Sequence, residues 1–141
     1  MMGKIQFFAE KIRFKIKNPK KTSNWIKNSI EKEGFGLGHL NVIFCNDSYL
    51  EELNSKYLNH KTLTDIITFD YSDSAALIHG DIFISVPRVK ENSLEFKADF
   101  DTELHRVIIH GILHLMGYSD KSKPKKQQMR KKEDSYLSLR T

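Results

Sequence analysis

Cysteine is almost absent: Cys45 is the single one among 141 residues. No internal disulfide can brace the chain, and there is no cysteine cluster to close a structural zinc site. Cys45 ends the apolar run Val42-Ile43-Phe44-Cys45, where a thiol serves as a small buried hydrophobe. Long apolar runs are missing too. Spanning a bilayer takes about 20 apolar residues, and the patch near the start, Ile5 to Ala9, is cut off by Glu10 and Lys11. It is also too short for a signal-peptide core. The expectation is a protein of the reducing cytoplasm with no membrane segment. Repeats and dividing linkers are absent, which assigns residues 1–141 to a single domain. With 39% hydrophobic and 29% charged residues, the composition is that of a globular chain able to bury a core, not of a disordered one.

Acids are missing from one stretch in particular. Lys121 to Lys132 carries seven Lys/Arg and no Asp or Glu. Net charge is +5, but it is unevenly spread: residues 1–45 hold nine bases and three acids, 46–103 five and twelve, 104–141 nine and three. Basic ends flank an acidic middle. A cationic run is often only solvated surface, yet this one directly follows the residues described next. Such cations beside a reactive centre would hold phosphates, and each phosphate neutralised releases counterions. Binding of a phosphate polymer there is expected to give a clearly negative slope of log affinity against log salt; a flat line from low to physiological salt would exclude it.

Residues 110 to 120 read His-Gly-Ile-Leu-His-Leu-Met-Gly-Tyr-Ser-Asp. On a helix, His110 and His114 lie one above the other, about 5–6 Å apart at Cβ, close enough to share an ion. Gly117 can turn the chain sharply at the helix end, which brings Asp120 back as a third ligand. This spacing is that of the metzincin pattern H-E-x-x-H-x-x-G-x-x-H, with two positions changed. Gly111 stands in place of the glutamate, so peptide hydrolysis lacks its general base. Asp120 stands in place of the last histidine, a milder change, because carboxylate oxygen is an ordinary zinc ligand. The expected metal set is His110, His114 and Asp120 around one Zn²⁺, with Mn²⁺ a further possibility given the hard oxygen donor. Leu104, Ile108, Ile112 and Leu115 form an apolar stripe at helical spacing, with Val107 and Ile109 beside it, so the helix is expected to be largely buried. His105 falls off the ligand face and reads as structural.

The run from His110 to Tyr118 resembles the signature of the YbeY family of metal-dependent endoribonucleases that mature ribosomal RNA. Leu53-Asn54-Ser55-Lys56-Tyr57, Thr64-Asp65-Ile66-Ile67-Thr68-Phe69 and Gly80-Asp81-Ile82 extend the resemblance over approximately residues 40 to 137. It implies a cytoplasmic RNase acting on ribosomal RNA or ribosomal particles, with zinc at the positions of His110, His114 and Asp120. Two positions depart from the family. Asp120 replaces its usual histidine, and Leu58 stands where many members carry an arginine implicated in activity. A substitute cation is expected among His60, Lys61 and Arg88, and His114, Arg88 and His60 are the catalytic assignments.

Periodicity supplies the scaffold. Residues 4 to 17 alternate as one or two edge strands, and 23 to 33 form a helix from near Ser23 to Gly34. Gly34, Gly36 and Gly38 mark a loop, and Leu40, Val42 and Phe44 a strand. Ser48-x-x-Glu51 reads as a capping box opening a helix with Leu50, Leu53 and Tyr57 inward. Strands follow at 65 to 71 and 81 to 86, joined by a loop from Asp70 to Gly80. Pro87 starts a short helix to about Lys97, Asp99 and Asp101 suit the start of the metal helix, and Pro124 starts the last one, with Met129, Tyr136 and Leu137 inward. Parallel and antiparallel pairing stay undecided, as does any oligomeric state. The expected architecture is an α+β, zincin-like domain, a mixed sheet of about four strands packed with about five helices.

The leading function is a metal-dependent single-strand endoribonuclease of ribosomal RNA maturation, in which a metal-bound water or hydroxide attacks the phosphodiester. Two alternatives stand beside it: a metallopeptidase-like hydrolase, and a non-catalytic ribosome-associated RNA-binding protein with a structural metal.

Overall fold

The computed structural model describes residues 3–58, 64–73 and 76–140. In chain order its elements are β1 (Lys4–Glu10), α1 (Pro19–Lys32), β2 (Gly36–Cys45), α2 (Asp47–Leu58), β3 (Ile66–Asp70), β4 (Leu77–Ser85), α3 (Val86–Glu95), α4 (Phe100–Leu115) and α5 (Lys123–Ser138). The sheet order is β1-β2-β4-β3. β1 runs parallel to β2 and β2 to β4, while β3 returns antiparallel along β4. This is the mixed α+β arrangement expected, and it settles the strand pairing that alternation alone left open.

Along β2 and β4 the even positions Leu40, Val42, Phe44, Ile78, Ile82 and Ile84 point to one face, where they form the main core with Trp25, Ile26 and Ile30 of α1 and the buried stripe of α4. The odd positions face α2, and Cys45 with Leu50 and Ile67 makes a smaller core there. Burial, with Asp47 nearby, pushes the Cys45 thiol up to about 12, so it is inert at neutral pH. Every member of the α4 stripe, with Val107 and Ile109, is buried as expected. On α5, Met129 and Tyr136 are buried and Leu137 partly so, and Trp25 Nε1 donates to the Tyr136 carbonyl at 2.8 Å.

Five local expectations change. Ile12, Phe14 and Ile16 do not form a second strand; the chain turns at Lys11 (φ 61°) and this irregular segment packs into the core, with the Phe14 ring edge-on to Phe44 at 4.8 Å. The glycines at 36 and 38 lie inside β2, not in a loop. A Cβ on Gly38 would stand 2.9 Å from the Ile78 carbonyl oxygen, so glycine here reflects a close approach of backbones. β4 likewise begins at Leu77, inside the expected loop from Asp70 to Gly80. Helix α1 starts at Pro19, in the first-turn position that suits proline, and α2 starts at Asp47, where Asn46 Oδ1 accepts from the Tyr49 N–H at 2.8 Å in place of a Ser48 cap. The other helix starts match: Ser85, Asp99 and Ser122 cap α3, α4 and α5.

One partly buried carboxylate ties three segments together. Glu33, just past α1, accepts from Tyr118 Oη at 2.6 Å, from Lys132 Nζ at 3.0 Å and from Tyr136 Oη. Burial disfavours its charge, but these donors outweigh it and hold the carboxyl below its ordinary value of 4.5. A depressed folded value means that Glu33 stabilises the fold above the unfolded pKa, and that this contribution is lost as pH falls through the folded pKa. Glu33→Gln is therefore expected to lower stability at neutral pH by about 1–3 kcal/mol and to flatten the stability profile below pH 4.5. Urea denaturation of both proteins from pH 7 to pH 3 measures this; parallel profiles would refute it.

Candidate metal centre

Helix α4 ends in a way that aims the next residues. Gly117 adopts φ 101°, the Tyr118 N–H reaches the Leu113 carbonyl at 3.0 Å and the Gly117 N–H reaches that of His114 at 3.0 Å. This paired closure is the Schellman arrangement, which a glycine makes without steric cost. The chain turns back along the helix, and Asp120 arrives beside the two imidazoles.

The three side chains then converge. His110 Nε2 and His114 Nε2 are 3.1 Å apart, Asp120 Oδ2 lies 3.6 Å from the former and Asp120 Oδ1 lies 3.8 Å from the latter. Ligands at about 2.0–2.2 Å from a tetrahedral ion stand about 3.2–3.6 Å apart, so the spacing fits a shared ion with little adjustment. Among the described residues this is the group whose ligand atoms, all within 4.8 Å of one another, could hold a metal.

Sequence reasoning missed the side chain that orients the first histidine. Glu133, on α5 and 5% exposed, accepts from His110 Nδ1–H at 2.6 Å and from Arg106 Nη1 at 3.0 Å. A carboxylate can only accept here, so the proton sits on Nδ1 and the Nε2 lone pair faces the convergence point. Its signal was present: Glu133 is the first acid after the cationic run and lies on the helical face of Met129 and Tyr136. Burial opposes charge on His110, but the Glu133 hydrogen bond and the negative charges of Glu133, Asp120 and Asp65 raise its pKa overall. Burial and the neighbouring His110 lower that of His114. Two adjacent imidazoles cannot readily both be protonated.

Gly111 has a structural reason. A Cβ there would meet Ile66 Cδ1 at 2.7 Å and Ile82 Cγ2 at 3.2 Å, so α4 is seated against the sheet where the protease pattern would need a glutamate. A cleft of about 310 Å³ opens beside His110 and Asp120, walled by Ile66, Val107 and Met129, with Asp65, Glu103, Arg106, Lys126 and Arg130 also lining it. Burial raises the Asp65 carboxyl although His110 draws it down, and Asn92 Nδ2 donates to it at 3.2 Å.

The remaining expected site residues fall elsewhere. Arg88 is bound to Asp47 at 3.0 Å and Glu91 at 2.8 Å and does not line this cleft. His60 and Lys61 lie outside the described residues. His105 is buried, with Nδ1 2.7 Å from the Asp101 carbonyl, in the structural role expected.

A family model described as Endoribonuclease YbeY matches residues 4–140. The chain belongs to the YbeY family. Among relatives carrying the name Endoribonuclease YbeY, the one from Flavobacterium psychrophilum is 50% identical over 132 residues, 94% of each chain. That from Amoebophilus asiaticus is 47% identical over 133 residues, 94% of this chain and 90% of its own. The solution structure of a Thermotoga maritima protein superposes with a TM-score of 0.63 at 31% identity, covering 96% of this chain and 87% of that one. The family resemblance read from His110 to Tyr118 thus extends over nearly the whole chain.

Proposed function

We propose that this chain is a metal-dependent endoribonuclease of ribosomal RNA maturation, working in the cytoplasm, with one zinc ion held by His110, His114 and Asp120. The observation that carries the reading is the convergence of those three donors in a member of the YbeY family, with His110 fixed by Glu133. Among the described residues no helix is long and apolar enough to cross a membrane.

When bound, zinc supplies Lewis acidity toward water and toward a phosphoryl oxygen. The chain's own residues do the rest. Asp120, entering from beyond the helix, completes a three-ligand face. Glu133 keeps His110 in the correct tautomer and, being anionic, makes it a stronger donor. Lys126 and Arg130 line the cleft and attract the phosphodiester, taking the place of the arginine missing at Leu58, since Arg88 is occupied by Asp47 and Glu91. Gly111 leaves no carboxylate beside His110 to serve peptide hydrolysis.

Glu133→Gln is expected to weaken zinc affinity by about 10–100-fold, because a neutral amide oxygen replaces the anionic acceptor of His110 Nδ1–H. Competition with a chromophoric chelator measures it, and an unchanged affinity would remove Glu133 from the site's design. The function itself is tested by incubating the protein with single-stranded ribosomal RNA fragments and with a peptide substrate, before and after chelation. RNA cleavage lost on chelation is expected; peptide cleavage alone would overturn the assignment.

A further inference from the structure

Glu103 sits on α4 two turns before His110, only 8% exposed, and lines the cleft beside the metal ligands. Its backbone N–H closes the helix start on the Asp99 carbonyl at 2.9 Å, but its carboxylate makes no hydrogen bond or ion pair among the described residues. Its oxygens are not fully enclosed, so they face the cleft, where water or a bound molecule supplies the donors. The nearest cation on its own helix does not serve, because the Arg106 guanidinium is engaged by Glu133 at 3.0 Å and Asp134 at 2.6 Å. Burial raises the Glu103 carboxyl, Asp65 and Glu133 add to this, and Arg106 and Arg130 oppose it. The carboxylate is open to accept hydrogen bonds from within the cleft and takes none from the described residues.

The surroundings describe what would supply them. Ile66, Val107 and Met129 give apolar walls, and Lys126 and Arg130 place positive charge on the same cleft. Its volume, about 310 Å³, is at the small end of ligand pockets, about 300–1,000 Å³, a size for one nucleotide unit. Seven residues of helix separate Glu103 from His110 by about 10 Å along the axis, so a phosphate at the metal ligands can have its base edge near Glu103. A second metal ion is a poorer occupant, because the one group of three ligand atoms that converges among the described residues is His110, His114 and Asp120.

We propose that this cleft is a nucleobase subsite selective for guanine, whose adjacent N1–H and N2–H donors pair with the two oxygens of the Glu103 carboxylate. Guanine is the RNA base with two neighbouring N–H donors of this kind on its Watson–Crick edge, and single-stranded RNA is read on such edges. The subsite deepens the ribonuclease reading and rests on it for the class of substrate.

Binding of guanosine, adenosine, cytidine and uridine monophosphates, as 5′ and 3′ isomers, to the metal-loaded protein by calorimetry tests it. Guanosine monophosphate is expected to bind about tenfold or more tighter than the others, and Glu103→Gln to cut that affinity about ten- to a hundredfold while leaving the other three within about twofold. Inosine monophosphate, which lacks the 2-amino group, gives the same test with no variant and is expected to bind the wild-type protein about tenfold more weakly than the guanosine nucleotide. Arg130→Ala is expected to weaken all four nucleotides alike. Equal affinity for the four bases, or no difference between inosine and guanosine nucleotides, overturns the subsite. RNA cleavage without base preference alongside equal binding leaves the ribonuclease reading intact and removes only the subsite. Absence of cleavage on every RNA removes the ribonuclease reading, while the nucleotide affinities still decide the subsite.

Discussion

His114→Ala is expected to yield a folded protein that retains no zinc and cleaves RNA at least about a thousandfold more slowly, the loss that follows when several kcal/mol of charge stabilisation disappear. The imidazole side chain is 31% exposed and its polar contacts are with His110 and Asp120, so alanine leaves no large cavity and little packing is lost. Two donors remain, too few for a stable ion with one open position. Any drop in thermal stability should equal the drop that chelation causes in the wild-type protein, because only the linkage to bound metal is removed. Elemental analysis of the purified variant, its melting temperature with and without chelator, and single-turnover cleavage measure these three effects. A variant that keeps stoichiometric metal would show that the ion is held elsewhere.

Gly111→Glu restores the glutamate of the protease pattern and is expected to abolish stable folding without creating a peptidase. Even the first carbon collides with Ile66 and Ile82, an overpacking worth about 1–3 kcal/mol. The rest of the side chain would then carry a carboxylate into a fully apolar contact between α4 and the sheet, adding a desolvation cost of several kcal/mol. Together these approach the whole stability of an ordinary domain, about 5–15 kcal/mol. Gly111→Ala is milder: the tip of Ile66 must move, but alanine recovers about 1 kcal/mol of helix propensity. Urea denaturation midpoints should fall in the order wild type or alanine, then glutamate, with most of the glutamate variant insoluble. A glutamate variant of wild-type stability that hydrolyses peptides would contradict the packing explanation.

The legible parts of the chain are those in which local spacing carries the physics. His110, His114 and Asp120 could be grouped from sequence because a helical repeat and a terminating glycine fix where three side chains go. The α4 stripe and the alternation in β2, β3 and β4 were visible for the same reason. What stayed hidden depends on contacts distant along the chain. Gly36 and Gly38 read as a loop, yet they are strand residues pressed against β4. Ile12, Phe14 and Ile16 alternate like a strand but have no partner strand and enter the core as an irregular segment. Glu133 lies 23 residues from the histidine it orients, within a stretch whose positive charge draws attention away from its single inward-facing acid. Glu103 lies seven residues before His110, and the cleft it faces takes shape only when Ile66, α4 and α5 come together.

The central claim is that one ion at these three donors drives RNA cleavage. The most direct measurement strips the protein of metal with a chelator and follows cleavage of a single-stranded ribosomal RNA fragment as zinc is titrated back, with bound zinc counted at each point. Cleavage that is absent at first and rises to a plateau at one ion per chain, in the wild-type protein but not in His114→Ala, is the expected result. Undiminished cleavage by the metal-free protein would contradict it.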